Sequence, residues 1–126
     1  MSWRSPLGRV RGLGSAKEGV SHWWQQRLTS IALVPLGCWF IVSMLSLPAL
    51  DHATLVAWMS GTWTTLLLLL FVLTSTRHSQ LGVQVVIEDY VHHEGAKLAW
   101  ILVVKFAAWA LAAAAVIAVL RVAFGG

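Results

Sequence analysis

The sequence predicts an all-α membrane protein with three transmembrane helices, the N-terminus inside and the C-terminus outside, and three observations carry that expectation. Of its 126 residues 58% are hydrophobic and only 11% charged, with a mean hydropathy of +0.74, where a soluble domain has about 25% charged residues. One water-soluble core of this size cannot hide so many apolar side chains. Apolar runs long enough to cross a bilayer recur along the chain, separated by short polar connectors. Five of the nine Lys and Arg precede the first of these runs, which is the asymmetry of an inside-facing tail. The net charge of +4 and pI near 10.0 therefore report topology, not nucleic-acid binding.

The elements follow in order, within a single anchor domain spanning residues 1–126 and without repeat or linker. Residues 1–27 read as a cytoplasmic or matrix-side tail carrying Arg4, Arg9, Arg11 and Lys17, with Arg27 at the membrane edge. The first span covers 28–47, where the only ionisable side chain is the thiol of Cys38; its 20 residues would rise about 30 Å, one hydrocarbon thickness. Pro35 predicts a kink and not a break. A single cysteine offers no disulfide framework, and Cys38 is expected as a small buried packing residue. The connector Pro48 to His52 holds an acid and no Lys or Arg, which places it outside. The third span runs from about 98 to 120, with an Ala-rich half suited to close helix contact. Its Lys105 must snorkel, pair or face a polar cavity. The spans are too hydrophobic for the alternating strands of an outer-membrane barrel.

Two windows compete for the second span. Residues 53–76 are free of charge, which would set Arg77 and His78 at the inner surface. Trp58 and Trp63, however, read as an outer aromatic belt, and Glu88, Asp89 and Tyr90 as the inner interface. One long helix over 53–91, with about 64–87 in the membrane, accommodates both. Arg77, His78, Gln80 and Gln84 then lie at membrane depth, where an ionisable residue is by default a functional-site hypothesis. On a helical wheel Gly82, Val85 and Asp89 fall within about 40° of His78. Thr74 and Ser75 flank the stripe, which leaves room for a flat macrocycle, and imidazole is a standard axial ligand of haem iron. The plainer alternative is a packing histidine bonded to a neighbouring hydroxyl or carbonyl, and spacing alone leaves both open. A second axial ligand would have to come from another chain.

Two motifs resemble a known family. GLGSAKEGVSHWWQQRLTSIALVPL, from Gly12, is similar to a Gly-rich opening, a His, and an Arg-x-Thr that starts the first helix; HSQLGVQVVIEDYV, from His78, is similar to a His followed by Gly four residues later and Asp-Tyr eleven and twelve later. Over residues 12–120 the chain resembles the small hydrophobic membrane-anchor subunit, the D-type cytochrome b556 subunit, of succinate dehydrogenase, respiratory complex II. The resemblance implies half of a heterodimeric haem-binding helical bundle. His78 matches the axial ligand of haem b, shared with the C-type cytochrome b anchor subunit. Tyr90 matches the tyrosine that hydrogen-bonds a ubiquinone carbonyl, and Asp89 the acid beside it. Arg27 matches a haem-propionate contact. Many members have a histidine six residues before that arginine; Ser21 stands there and His22 follows, so His22 is the candidate for that contact.

The same resemblance implies an anchor of succinate:ubiquinone oxidoreductase in a bacterial inner membrane, a mitochondrial inner membrane being the lesser alternative. FAD and iron–sulfur clusters belong to the flavoprotein and iron–sulfur partner subunits, since this chain has no dinucleotide fingerprint and no cysteine cluster. Alternatives are the anchor of a quinol:fumarate reductase and an assembly subunit without redox role. A multidrug-type transporter would need an acid in mid-span, and no Asp or Glu lies deeper than Glu88.

Overall fold

The computed structural model describes the backbone of residues 15–125 and the side chains of residues 20–125. The tail bases Arg4, Arg9 and Arg11, the side chain of Lys17 and the glycines at 12 and 14 lie outside the described residues. Four helices follow in order: α1 (Ser15–Ser46), α2 (His52–Met59), α3 (Thr62–Tyr90) and α4 (Glu94–Ala123). Three stretches are long and apolar enough to cross a membrane, Val20–Ser46, Thr62–Tyr90 and Glu94–Ala123. The chain is an all-α, multi-pass membrane protein.

Helix α1 starts well before Leu28 and continues through Pro35, although the proline ring removes the amide that would bond the Ile31 carbonyl. Its hydroxyl residues fit an apolar helix by donating back one turn. Ser30 donates to the Gln26 carbonyl at 2.8 Å and Ser46 to that of Val42 at 2.7 Å, which pairs both hydroxyl protons within the helix. Cys38 is exposed, so the expectation of a buried packing residue fails. The stripe that α1 turns to α3 runs through His22, Gln26, Thr29, Leu33 and Phe40, and Cys38 falls off it.

The long second helix expected over 53–91 is two helices. Asp51 caps α2 by accepting the Thr54 amide at 2.9 Å. That bond and the Thr54 hydroxyl hold its carboxyl below the usual carboxylate range. The chain then breaks at Ser60–Gly61, where Gly61 adopts an extended conformation as the N-cap of α3. The freed groups are satisfied locally, because Thr65 Oγ1 lies 2.7 Å from the Met59 carbonyl and 2.9 Å from that of Gly61. Helix α2 folds back on the end of the bundle far from Ser15, where Trp58 stacks on Trp39 at 5.7 Å and Phe40 packs on Phe71 at 5.2 Å. Charge-free residues 53–76 are thus not one helix.

Helix α3 is the middle of the molecule. It packs against α1 on one side and α4 on the other, while α1 and α4 do not pack on each other among the described residues. Buried side chains concentrate accordingly on α3, at Leu68, Gln80, Leu81 and Ile87, with Val119 on α4. The result is a layer of three helices with two broad open faces. In lipid that exposure carries no hydrophobic penalty, and association rests on packing and interhelical hydrogen bonds. His93 caps α4 by accepting the Ala96 amide at 3.1 Å. Gly125, with φ of 76°, closes the far end in the left-handed conformation that glycine adopts without a Cβ penalty.

Candidate functional site

His78 sits half-buried on the face of α3 that meets α1, and its Nδ1 lies 3.0 Å from the Thr29 hydroxyl. Thr29 Oγ1 is also 2.8 Å from the Gln25 carbonyl and 3.0 Å from that of Gln26. A hydroxyl has one proton. Backbone carbonyls only accept, so with that proton on the Gln25 carbonyl the Thr29 oxygen accepts from Nδ1–H. In that arrangement His78 is the Nδ1–H tautomer, with its lone pair on Nε2. Nε2 makes no hydrogen bond to the described residues and is not among the atoms sealed inside the bundle. An imidazole fixed by one nitrogen with the other available is the usual state of a metal-ligating histidine.

The stripe running inward from Thr29 is unusually polar. Gln26 and His22 follow at one-turn intervals, and the Gln26 Oε1 and His22 Nε2 atoms are buried without a partner. Opposite them on α3 stand Gly82 and, one turn on, Val85, with Asp89 a further turn along the same stripe. The two pairs Thr29 with His78 and Gln26 with Gly82 fix an antiparallel register in which residue numbers sum to 107 or 108. The stripe beside Gly82 is therefore a seam against α1 and not the open slot that the wheel alone suggests. A Cβ placed on Gly82 would still meet nothing nearer than Gln26 Nε2 at 4.0 Å. Nothing in this chain crowds the glycine.

The other sequence-derived residues fall elsewhere. Arg27 is exposed on the flank of α1, its guanidinium 5.3 Å from the ring centroid of Trp23, a cation–π distance. Asp89 and Tyr90 end α3, with Tyr90 77% exposed. Twelve residues separate Tyr90 from His78, about 18 Å along the axis and about 120° around it. They serve different places. No cluster of three or more His, Cys, Asp or Glu side chains forms among the described residues, so iron at His78 would be held by this chain from one side only.

Sequence reasoning singled out Thr29 as part of a motif without its contact to His78, and it missed Gln25 and Gln26 altogether. Gln25 accepts from two nitrogens of Arg77, the Nε bond measuring 3.0 Å. Arg77 also donates to Gln80, Gln80 to Gln84 at 3.5 Å, and Gln84 to Glu88 at 3.1 Å. The signal was the spacing 77, 80, 84, 88, one helical stripe.

Residues 1–119 match the family model of the succinate dehydrogenase/fumarate reductase transmembrane subunit. The chain belongs to that family. It is 33% identical over 125 residues, 99% of its own length and 96% of the other, to the succinate dehydrogenase hydrophobic membrane anchor subunit of Paracoccus denitrificans. Subunits of the same description from Rickettsia bellii and Rickettsia conorii are 34% and 31% identical, each over 82% of both chains.

Proposed function

We propose that this membrane anchor of succinate dehydrogenase supplies one axial ligand of haem b from His78 and one wall of a ubiquinone-reduction site from Tyr90 and Asp89. The observation that carries the reading is the Thr29–His78 contact at 3.0 Å. It holds the ring on one nitrogen and leaves the other as an acceptor for iron. Two further features fit the same group. The buried, unpartnered His22 Nε2 is a donor or acceptor in want of a polar partner such as a propionate. Gly82 presents bare backbone to the α1 seam, with the amide end of Gln26 4.0 Å from where a Cβ would sit. Haem b, when bound, supplies a one-electron centre near the quinone site.

The chain's own residues then divide the work. Thr29 orients the His78 ring and fixes its tautomer. Arg27, on the flank of α1, offers a guanidinium fork to a carboxylate, and His22 offers Nε2 one turn further inward. Tyr90, at the inner end of α3, presents an apolar ring to a quinone head group and a hydroxyl to its carbonyl oxygen. Asp89 beside it is placed to hand on one of the two protons that accompany the two electrons of quinone reduction. Those electrons originate in succinate oxidation on the flavoprotein subunit and arrive through the iron–sulfur subunit; the second axial ligand comes from the cytochrome b subunit. The direction from succinate to quinone follows the names of the bacterial relatives. The same relatives and the basic tail favour the bacterial inner membrane with the N-terminus inside.

The test is spectroscopic. The tagged chain is drawn from its native membrane in mild detergent, and the succinate-reduced minus oxidised spectrum of the complex is recorded. A b-type signal that disappears in His78→Ala supports the reading. An unchanged signal in that variant removes His78 as ligand.

A further inference from the structure

Arg77 has no use in the roles above, and its place in the layer sets it apart from them. Counting about 100° per residue from the α1-facing His78, Arg77 lies about 100° to one side and Tyr90 about 120° to the other. Helix α1 divides in the same way. Gln25, which binds Arg77, and Arg27 are about 160° apart on that helix. One open face thus carries Arg27 and Tyr90, the other Arg77 with its row of glutamines. That the first face belongs to the partner subunit rests on the proposed haem and quinone roles, and it leaves the second to lipid.

On this second face α3 and α4 enclose a groove of about 390 Å³. Its outer part is walled by Leu73, Ala108, Trp109 and Ala112, and its inner part by Arg77 and Gln80. Gln80 is 5% exposed and gives its carbonyl oxygen to Arg77. Lys105 lies one turn inward of Trp109 on the same stripe of α4, about 20° from Ala112. Arg77 thus lines the inner end of the groove, and helical spacing sets Lys105 just beyond that end on the facing helix. Arg77 meets only neutral amide oxygens, and both cations are eleven residues from the nearest acid of their own helix, Glu88 or Glu94, about 16 Å.

Depth decides what anion can reach them. Helix α3 has 29 residues and rises about 43 Å, some 13 Å more than a hydrocarbon slab. The α1–α3 register sets Leu28, where the apolar run of α1 begins, opposite residues 79–80 of α3. On this register the inner boundary on this side lies near Gln80, about seven residues short of the residue 87 expected from the aromatic belt. Arg77 turns its head inward to Gln80, and a lysine on α4 leans toward the helix N-terminus, also inward. Both heads snorkel toward a phosphate at that level.

We infer that this groove binds an anionic phospholipid of the inner leaflet, its phosphate held between Arg77 and Lys105 and an acyl chain lying along Leu73, Trp109 and Ala112. The experiment uses the whole complex, delipidated in neutral detergent and titrated with spin-labelled phosphatidylglycerol or spin-labelled phosphatidylcholine, the immobilised fraction being read by electron paramagnetic resonance. Two cations near an anionic lipid predict a preference for phosphatidylglycerol of about thirtyfold. Arg77→Gln with Lys105→Gln brings it near parity, Arg77→Lys keeps most of it, and the haem spectrum and succinate–quinone turnover stay as in wild type. Equal binding of both lipids by the wild-type complex overturns the site, as does an undiminished preference in the double variant. Loss of haem in the double variant would return Arg77 to the haem pocket. Failure of that variant to copurify with the other subunits, with Arg77→Lys assembling, would give the cations to a partner's carboxylate. Either result removes the lipid. Loss of the haem signal in His78→Ala alone concerns the proposed function and leaves the lipid preference intact.

Discussion

Thr29 has one proton and three neighbours, and the way it divides them governs His78. With the proton on the Gln25 carbonyl at 2.8 Å, the hydroxyl can only accept from the ring at 3.0 Å. Thr29→Val removes the acceptor at nearly constant volume. The chain should still assemble, but haem retention should fall by about 10- to 100-fold, the usual effect of losing the group behind a ligating histidine; haem titration of the purified complex measures it. Retention equal to wild type would mean that the ring needs no such support. Tyr90→Phe keeps the ring and loses one hydrogen bond, so quinone reduction should slow about two- to tenfold with the haem spectrum unchanged. Steady-state turnover with a soluble quinone reads it. That His78, Asp89 and Tyr90 share one helix was legible, because their spacing is a property of sequence. Thr29 as the partner of His78, and the unpartnered His22 and Gln26, depend on the register between two helices 49 residues apart in the His78 contact, which no local pattern encodes.

Between elements, the break at Ser60–Gly61 was hidden by its surroundings. A Ser-Gly pair is a turn signal, but apolar residues on both sides extend the helical reading through it. What settles the matter is the far side of the turn, where Thr65 binds the freed carbonyls and Asp51 caps a separate helix. The lowered value of Asp51 means that the folded state favours the ionised cap. Its contribution is complete above the ordinary carboxylate range and is lost as pH falls through the lowered value. The protection factor of the Thr54 amide, its exchange rate taken against the intrinsic rate at each pH, should therefore fall in acid in the wild type, whereas in Asp51→Ala it should be low at every pH. A wild-type protection factor with no acid limb would deny the cap. Gly82→Ala addresses the seam between α1 and α3. A methyl there meets only Gln26 at 4.0 Å, and alanine is the better helix former by about 0.5–1 kcal/mol. The helices should pack as before, so a drop in haem content with unchanged assembly would identify the haem plane itself as the neighbour that excludes a side chain. Full haem content would make the glycine incidental.

For the whole molecule, a layer with α3 in the middle is an incomplete bundle. Each helix satisfies its backbone internally, as a membrane requires, so three spans can insert without help, and composition was enough to announce them. Their mutual arrangement is another matter, since α1 and α4 do not pack on each other among the described residues and lipid provides no hydrophobic force to press them together. The α1–α3 seam depends on a few polar contacts, among them Thr29–His78 and Gln25–Arg77. A partner that packs across the open face bearing Arg27 and Tyr90 binds the assembled layer and not its separated helices, and so stabilises it by mass action. Purified alone in detergent, the chain should keep its full helical circular dichroism yet lose the seam at a lower temperature than in the complex, with Trp39 and Trp58, which tie α1 to the outer end of the bundle, as fluorescent reporters. Addition of the cytochrome b subunit should raise that transition in a concentration-dependent manner. A transition at the same temperature with and without the partner would show that the three-helix layer is self-sufficient, and that its two open faces are shaped for lipid alone.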